Sequence, residues 1–283
     1  MIIVKLQGGL GNQMFQYATA KSVASHSKVY LDTSFLEQKT QSNESFTNRK
    51  LALSIFENIN LNKASKLLTW LLKNKYPLKN IISQRIVSVY QSELNEWIDF
   101  KSLKFSHLYM DGYFQNENYF SEIRDQLLTD FSFQQVSEAN TAVEKKISSD
   151  TNAVSIHIRR GDYLKPAINA FHGLLPISYY QSAIKMIEET NNNVHYYIFS
   201  DEPDWCRQNF KFLKNFTIVS NEHIKDWEDM YLMSICKHNI IANSSYSWWA
   251  AWLNNNPDKK IIAPKNWFAK TPIDIVPKEW TKI

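Results

Sequence analysis

Cysteine is almost absent from this chain: Cys206 and Cys236 are the only two among 283 residues. Two thiols cannot supply a disulfide framework or a cysteine-based zinc site. Glycine is also scarce, with six residues beside eight prolines, and no segment is of low complexity. No run of about eighteen apolar residues occurs, so no helix is expected to span a membrane. No apolar leader precedes Ile2-Ile3-Val4-Lys5-Leu6, and the expected compartment is the cytoplasm. There is no internal repeat and no Walker sequence, which removes solenoids and P-loop NTPases. Asp-x-Asp is missing and the seven histidines are not at ligand spacing, so no metal is expected. The net charge of +4 is too small to argue for nucleic acid.

What remains is an ordinary globular composition, 44% hydrophobic and 21% charged, of a length suited to about two domains. Nine Trp, fourteen Tyr and sixteen Phe favour stacking on sugars or bases. Between Asn58 and Ser92 there is no acid, while Lys63, Lys66, Lys73, Lys75, Lys79 and Arg85 all fall there. Ala64, Leu67, Leu68, Leu71 and Leu72 recur at helical spacing, giving one apolar face with basic flanks. That pattern suits a core-packed helix, and its alternative is peripheral contact of the segment 63–85 with the inner face of a membrane.

The first strand runs into Gln7-Gly8-Gly9-Leu10-Gly11-Asn12 and then a helix from about Gln13 to Ser25. A glycine turn ahead of a helix lets backbone amides approach a phosphate. Gly9 and Gly11, with Asp32 after Val29-Tyr30-Leu31, imitate a dinucleotide fingerprint, but Met14 replaces its third glycine. A nicotinamide-dependent oxidoreductase is therefore a rival reading. A strand over 109–114 and a helix over 117–128 follow. The polar segment 132–151, helical at its centre, carries the domain boundary.

The second half alternates regularly. Strands are expected to end at Ile158, Phe199, Val219, Ala242 and Ala263, with helices near 177–189, 204–210, 227–236 and 245–253. Such alternation predicts a parallel, doubly wound sheet, whose ligands bind beyond the carboxyl ends of the strands. Those ends carry Arg159-Arg160, Ser200-Asp201, Ser220-Asn221, Asn243-Ser244-Ser245 and Pro264-Lys265. Two guanidinium forks suit phosphate oxygens, although an ion pair of Arg160 with Asp162 is the plainer use. Ser244 and Ser245 either cap a helix or hold a phosphate or ribose. Asp201 either caps a helix or accepts the paired N–H donors of guanine. His157 suits the core and His172 a loop. Trp248 and Trp252, one turn apart, suit the core, and a non-enzymatic carbohydrate-binding protein would instead use that Trp-rich helix as its platform. For a general base Asp162 is favoured, beside the two arginines, with His172 and an acid of the first domain as alternatives.

Four segments resemble signatures of the α-1,2-fucosyltransferases, glycosyltransferase family 11. They are Gly8 to Ala18, His157 to Tyr163, Tyr197 to Asp201 and Asn243 to Trp249. The resemblance implies a GT-B fold of two facing Rossmann-like domains with parallel sheets. Residues 1–148 would form the acceptor-side domain and residues 149–283 the domain that binds GDP-fucose. It implies inverting, metal-independent transfer of L-fucose from GDP-β-L-fucose to the 2-hydroxyl of a galactose-type residue. The acceptor would be a galactoside oligosaccharide or lipid-linked glycan, in surface polysaccharide or O-antigen synthesis. Arg159 and Arg160 would hold the diphosphate, with His157 in the same string. Asp201, Asn243, Ser244, Ser245 and Ser247 would hold the nucleoside, and Gly8, Gly9, Gly11 and Asn12 would face the phosphates. Animal relatives carry a Golgi anchor, and its absence here implies a soluble, bacterial-type enzyme.

Overall fold

The structure is a computed structural model that describes residues 1–25, 27–38, 47–73, 86–91, 93, 96–221, 225–271 and 273–283. The chain divides into one unit of Met1–Gln41 and Asn48–Phe133 and another of Ser42–Thr47 and Gln134–Ile283. The division at 133/134 lies inside the polar segment picked out by sequence, ahead of its helix. That helix, α4 (Glu138–Ser149), packs within the second unit. There the fully buried Glu228 carboxylate accepts from Ser137 N, Ser137 Oγ and Asn140 Nδ2. A buried carboxylate without such donors would be strongly unfavourable, so this cluster fixes where α4 belongs.

In the first unit β1 (Ile2–Lys5) leads into α1 (Leu10–Ala24), followed by β2 (Val29–Asp32), α2 (Lys66–Lys73), β3 (Ile86–Tyr90), β4 (His107–Asp111) and α3 (Arg124–Asp130). The sheet order is β2-β1-β4-β3, all parallel. Helix α1 starts earlier than its apolar periodicity suggests, because Gly9 is its N-cap and Gly11 and Asn12 form its first turn. Gly8 has φ +78°, and a Cβ there would lie 2.5 Å from Asn12 Nδ2, so only glycine fits. The expected helix over 117–128 is broken. Two short 3-10 turns precede α3, since Phe120 leaves helical geometry (φ −142°, ψ 6°) to bury its ring against Phe15. Strand β3, hidden inside the basic tract, had no place in the sequence reading. Lys75, Lys79 and Arg85 of that tract lie outside the described residues.

Asp32 does not point to a ribose. It is 3% exposed and accepts from Tyr109 Oη (2.9 Å), Ser34 N (3.0 Å) and Lys73 Nζ (2.9 Å). Burial raises its pKa, yet the hydrogen bonds from Ser34, Lys73 and Tyr109 outweigh burial and hold it below the ordinary carboxylate value. With both oxygens engaged, the acid of a dinucleotide fingerprint is missing, and the oxidoreductase reading loses its central residue.

The second unit continues from α4 through β5 (Ala153–Ile158), α5 (Pro166–His172), α6 (Ile177–Glu188), β6 (His195–Ser200), α7 (Pro203–Asn209), β7 (Phe216–Ile218), α8 (Asp226–Ser234), β8 (His238–Ile240), α9 (Ser245–Leu253), β9 (Ile261–Ala263) and β10 (Thr281–Lys282). The parallel sheet has the order β10-β9-β8-β5-β6-β7, which is the doubly wound Rossmann order. Val154, Ile156 and Ile158 of β5 pack with Tyr180, Ile184 and Phe210 on one face. On the other face Asn239 Nδ2 reaches Ser155 Oγ (2.8 Å). The Trp-rich helix α9 is core: Trp248, Trp249 and Trp252 are all buried, and Trp248 Nε1 donates to Ile275 O (2.9 Å). A carbohydrate-binding module built on these rings is thereby ruled out.

Candidate active site

In a doubly wound sheet the strand order reverses between its first and fourth strands, and a crevice opens there at the carboxyl edge. Here that point lies between β5 and β8, paired at Ile156 and Ile240. The chain leaves β5 as Arg159-Arg160-Gly161-Asp162-Tyr163 and leaves β8 toward Asn243-Ser244-Ser245. Tyr163 Oη donates to Asn243 O (3.0 Å), closing the two exits onto each other.

The arginine turn is held by two carboxylates. Arg159 Nη2 meets Asp162 Oδ1 at 2.5 Å, and Arg159 Nη1 meets Asp201 Oδ2 at 2.8 Å. Asp201 uses its other oxygen, Oδ1, to accept from Arg160 N (2.9 Å). Burial lowers the Arg159 pKa, but Asp201 and then Asp162 raise it more, so the guanidinium is charged. Gly161 is required because a Cβ would stand 2.4 Å from Asp201 Oδ2. The partner of Asp162 is thus Arg159, whereas the sequence alone suggested Arg160. The other oxygen of Asp162 lies 3.5 Å from Thr47 Oγ1.

Arg160 has a different setting. Its guanidinium lies over the Trp205 ring at 3.9 Å, and its buried Nε has no hydrogen-bond partner among the described residues. Trp205 sits in the first turn of α7, four residues beyond Asp201, a spacing that could have flagged it. A buried N–H without an acceptor is costly, so this fork is poised for an anion.

The remaining candidates divide by what already holds them. Asn243 is buried and donates from Nδ2 to His172 O, Gly173 O and Trp267 O. Ser247 Oγ, fully buried, turns back to Ala242 O and Ser244 O. Ser244 is the N-cap of α9 and accepts from Tyr246 N. Ser245 is half-buried at the first helical position. Ser220 Oγ accepts from Ser200 N (2.9 Å) and bonds Asp229. Asn243, Ser247 and Ser220 therefore shape the crevice through bonds to protein, while Ser245 and the α9 N-terminus face outward from the same edge. Lys265 N is bonded to Ile283 O (2.7 Å).

Gly8, Gly9, Gly11 and Asn12 belong to the first unit. Asn12 Oδ1 accepts from Gln115 Nε2 (2.8 Å). The sequence reading missed Gln13 and Gln16, both fully buried. Gln13 Nε2 donates to Gly8 O and Lys50 O, and Gln16 clamps both backbone polar groups of Gln7. These side chains set the glycine turn, which explains why two glutamines follow it.

His157 is buried in β5 beside the Tyr246 ring (5.6 Å), and its Nδ1 has no partner among the described residues. Burial, and secondarily Arg159, pushes its imidazole down to about 3. His172 stacks on Tyr163 at 4.6 Å. Burial brings it down to about 4, with Asp162 opposing and Arg159 assisting. Both rings are neutral at pH 7. An unfolded chain takes up these protons near pH 6.5, whereas the folded chain resists until about pH 3–4. Stability should therefore decline as pH falls below about 6.5. The urea midpoint, measured from pH 7 to 4, is expected to fall continuously, and less steeply in His157→Gln. A flat midpoint across that window would contradict the buried neutral state.

Glycosyl transferase family 11 matches residues 1–283. The chain is 34% identical over 287 residues to the O-antigen biosynthesis glycosyltransferase WbnK of Escherichia coli, across 93% of this chain and 94% of that one. It is also 34% identical over 310 residues to an alpha-1,2-colitosyltransferase of Escherichia coli, across 100% and 99% of the two chains. Among solved structures, the fucosyltransferase NodZ from Bradyrhizobium shares the fold, with a TM-score of 0.50 at 12% identity over 88% of this chain and 91% of that one. Two Rossmann-like units with parallel sheets are the components of the GT-B fold, and the chain is a glycosyltransferase that belongs to glycosyl transferase family 11.

Proposed function

We propose that this enzyme is a galactoside 2-α-L-fucosyltransferase: it transfers L-fucose from GDP-β-L-fucose to the 2-hydroxyl of a galactose-type residue, in O-antigen synthesis. The observation that carries this reading is the pair of arginines at the switch point, one braced by two carboxylates and the other laid on Trp205 with an unpartnered Nε. In a single displacement the acceptor hydroxyl oxygen attacks the anomeric carbon and gives up its proton to a base or to water, while the bond from that carbon to the β-phosphate oxygen breaks. Negative charge then grows on GDP, and donors held in place beforehand stabilise it without reorganising. Arg159 and Arg160 supply those donors, and the amides at the start of α9 add partial positive charge. Asp162, already bound to Arg159, acts as the positioning residue of that guanidinium more readily than as a base.

Arg159→Lys keeps the charge and loses the fork, so kcat should fall by about a hundredfold or more. Asp162→Asn should show a comparable loss, and the double variant should be little worse than either single one, since both act through one guanidinium. Arg160→Ala should weaken GDP binding by calorimetry. Wild-type turnover and affinity in these variants would refute the phosphate assignment. Measuring kcat/KM with GDP-fucose beside GDP-colitose addresses the second donor suggested by the colitosyl relative. A preference for colitose would change the sugar and leave the reaction class in place.

Transfer is proposed to proceed without a divalent cation. A departing diphosphate needs either a metal on carboxylates or fixed cations. The two carboxylates beside the arginines are both committed to Arg159, and among the described residues no three His, Cys, Asp or Glu side chains gather as ligands. Excess EDTA should leave most of the rate intact. Loss restored only by manganese or magnesium would overturn this point.

Peripheral membrane contact is proposed through α2. Leu67 is 68% and Trp70 48% exposed, one turn apart beside Lys66, while Lys63 pairs with Glu37 and Lys73 is drawn inward to Asp32. Among the described residues no helix is long and apolar enough to cross a membrane. An outward Trp with a flanking lysine suits an anionic interface. The protein should sediment with phosphatidylglycerol vesicles and not with phosphatidylcholine ones, and Leu67→Glu should abolish this. Equal sedimentation of the variant would dismiss the surface.

A further inference from the structure

An exposed tryptophan in the first unit is built as a platform. Trp97 is 54% exposed, and its ring is held rigidly in that position. Its ring lies flat on Tyr119, with centroids 4.4 Å apart and planes within 9°. Tyr119 is itself buried and wedged edge-on between Phe100 and Phe114. The Tyr119 hydroxyl accepts from Ile98 N (2.9 Å) and donates to Glu96 O (3.3 Å). One tyrosine thus backs the indole with its ring and fastens the backbone on either side of it with its hydroxyl.

The place is as telling as the support. Residues 96–99 follow the carboxyl end of β3, the outer strand of the first sheet, and ligands of open α/β sheets bind beyond the carboxyl ends of the strands. Gln91 stitches the exit of β3 to that of β4. Its Oε1 accepts from Tyr113 N and Phe114 N (3.0 and 2.9 Å), and its Nε2 donates to Glu96 O (3.0 Å). Gly112 permits this approach, since a Cβ there would lie 2.5 Å from Gln91 Cβ. Charge then selects among ligands. Glu93, Glu96 and Asp99, close to Trp97 along the chain, are exposed, and Asp99 Oδ1 also accepts from Lys101 N (3.1 Å). Three carboxylates disfavour a nucleotide or an anionic lipid surface, while they can accept hydrogen bonds from neutral hydroxyls. A pyranose has that combination, with an apolar C–H face to stack on an indole and a rim of hydroxyls.

We propose that Trp97, propped by Tyr119, is the stacking platform for a sugar ring of the acceptor glycan, and that Tyr119 is its positioning residue. The proposal rests on the glycan-transfer reading above, and the test separates the two. Lactose, a β-galactoside, serves as probe, with binding followed by saturation-transfer NMR and by calorimetry in the absence of donor, and transfer followed with GDP-fucose. Trp97→Ala should raise KM and Kd for lactose by about tenfold or more, roughly the loss of one good stacking contact. Its kcat at saturating lactose and its affinity for GDP should stay at wild-type values. Trp97→Tyr should recover most of the loss, and Tyr119→Phe should raise KM about threefold with kcat unchanged, by loosening residues 96–98. A circular-dichroism melt at the wild-type midpoint certifies the folding of each variant. Lactose binding by the wild type without fucosyl transfer would sink the functional reading and leave the platform standing. Unaltered lactose KM and Kd in Trp97→Ala, or no lactose signal in the wild type, would overturn the platform. A wild-type dimer that Trp97→Ala dissociates, with lactose binding unchanged, would overturn it in favour of a contact between subunits.

Discussion

The ion-paired turn around Arg159 is the constraint on which the carboxyl edge of the second sheet depends. One guanidinium joins Asp162, three residues on, to Asp201 at the end of the neighbouring strand. The same Asp201 fixes the next peptide through Arg160 N. An exposed ion pair contributes about 0–1 kcal/mol, whereas breaking a buried one costs about 3–5 kcal/mol. This cluster is partly buried and bidentate in effect, so it lies between those limits. Its consequence is geometric: Gly161 must lack a side chain, and Arg160 must project across Trp205. The turn therefore presents one guanidinium braced by two carboxylates and one with an unpartnered Nε among the described residues.

Residues that look like ligand contacts in the motifs often hold the scaffold. Asn243 ties together three carbonyls, Ser247 bonds its own helix, and Gln13 and Gln16 brace the glycine turn from beneath. A buried amide or hydroxyl left without partners costs about 1–3 kcal/mol, so such residues tolerate little replacement whether or not they touch a substrate. The motif strings record the shape of two strand exits as much as chemistry. What is left for a ligand is narrower: the two arginines, Ser245 with the start of α9, and backbone amides.

The two units use the same plan with different electrostatics. At the second, cations collect where the strand order reverses. At the first, the edge carries the glycine turn, Gln115, and an aromatic loop whose Glu93, Glu96 and Asp99 are exposed.

Much of this was legible in the chain itself. Alternating apolar runs and amphipathic helices predicted the second sheet, and parallel strands necessarily bring Arg159, Asp201, Ser220 and Asn243 to one edge. Local periodicity is written residue by residue, so elements such as β5, α6 and α9 were found within a residue or two. Only tertiary packing decided the partners. Nothing near Asp32 announced that Lys73 and Tyr109 would bury it, and that burial disposed of the nicotinamide reading. Nothing near Asp162 chose Arg159 over Arg160, because the choice follows from Asp201, which approaches from another strand. The Trp97–Tyr119 stack joins a loop after β3 to a 3-10 turn after β4, and β3 itself was masked by the lysines around it. Pair energies depend on distance and dielectric, both set by the fold, whereas propensity and period depend on neighbours along the chain. The sequence by itself therefore determined which chemical groups reach the sheet edges, and the tertiary structure decided which of them are already bound and which remain open to a ligand.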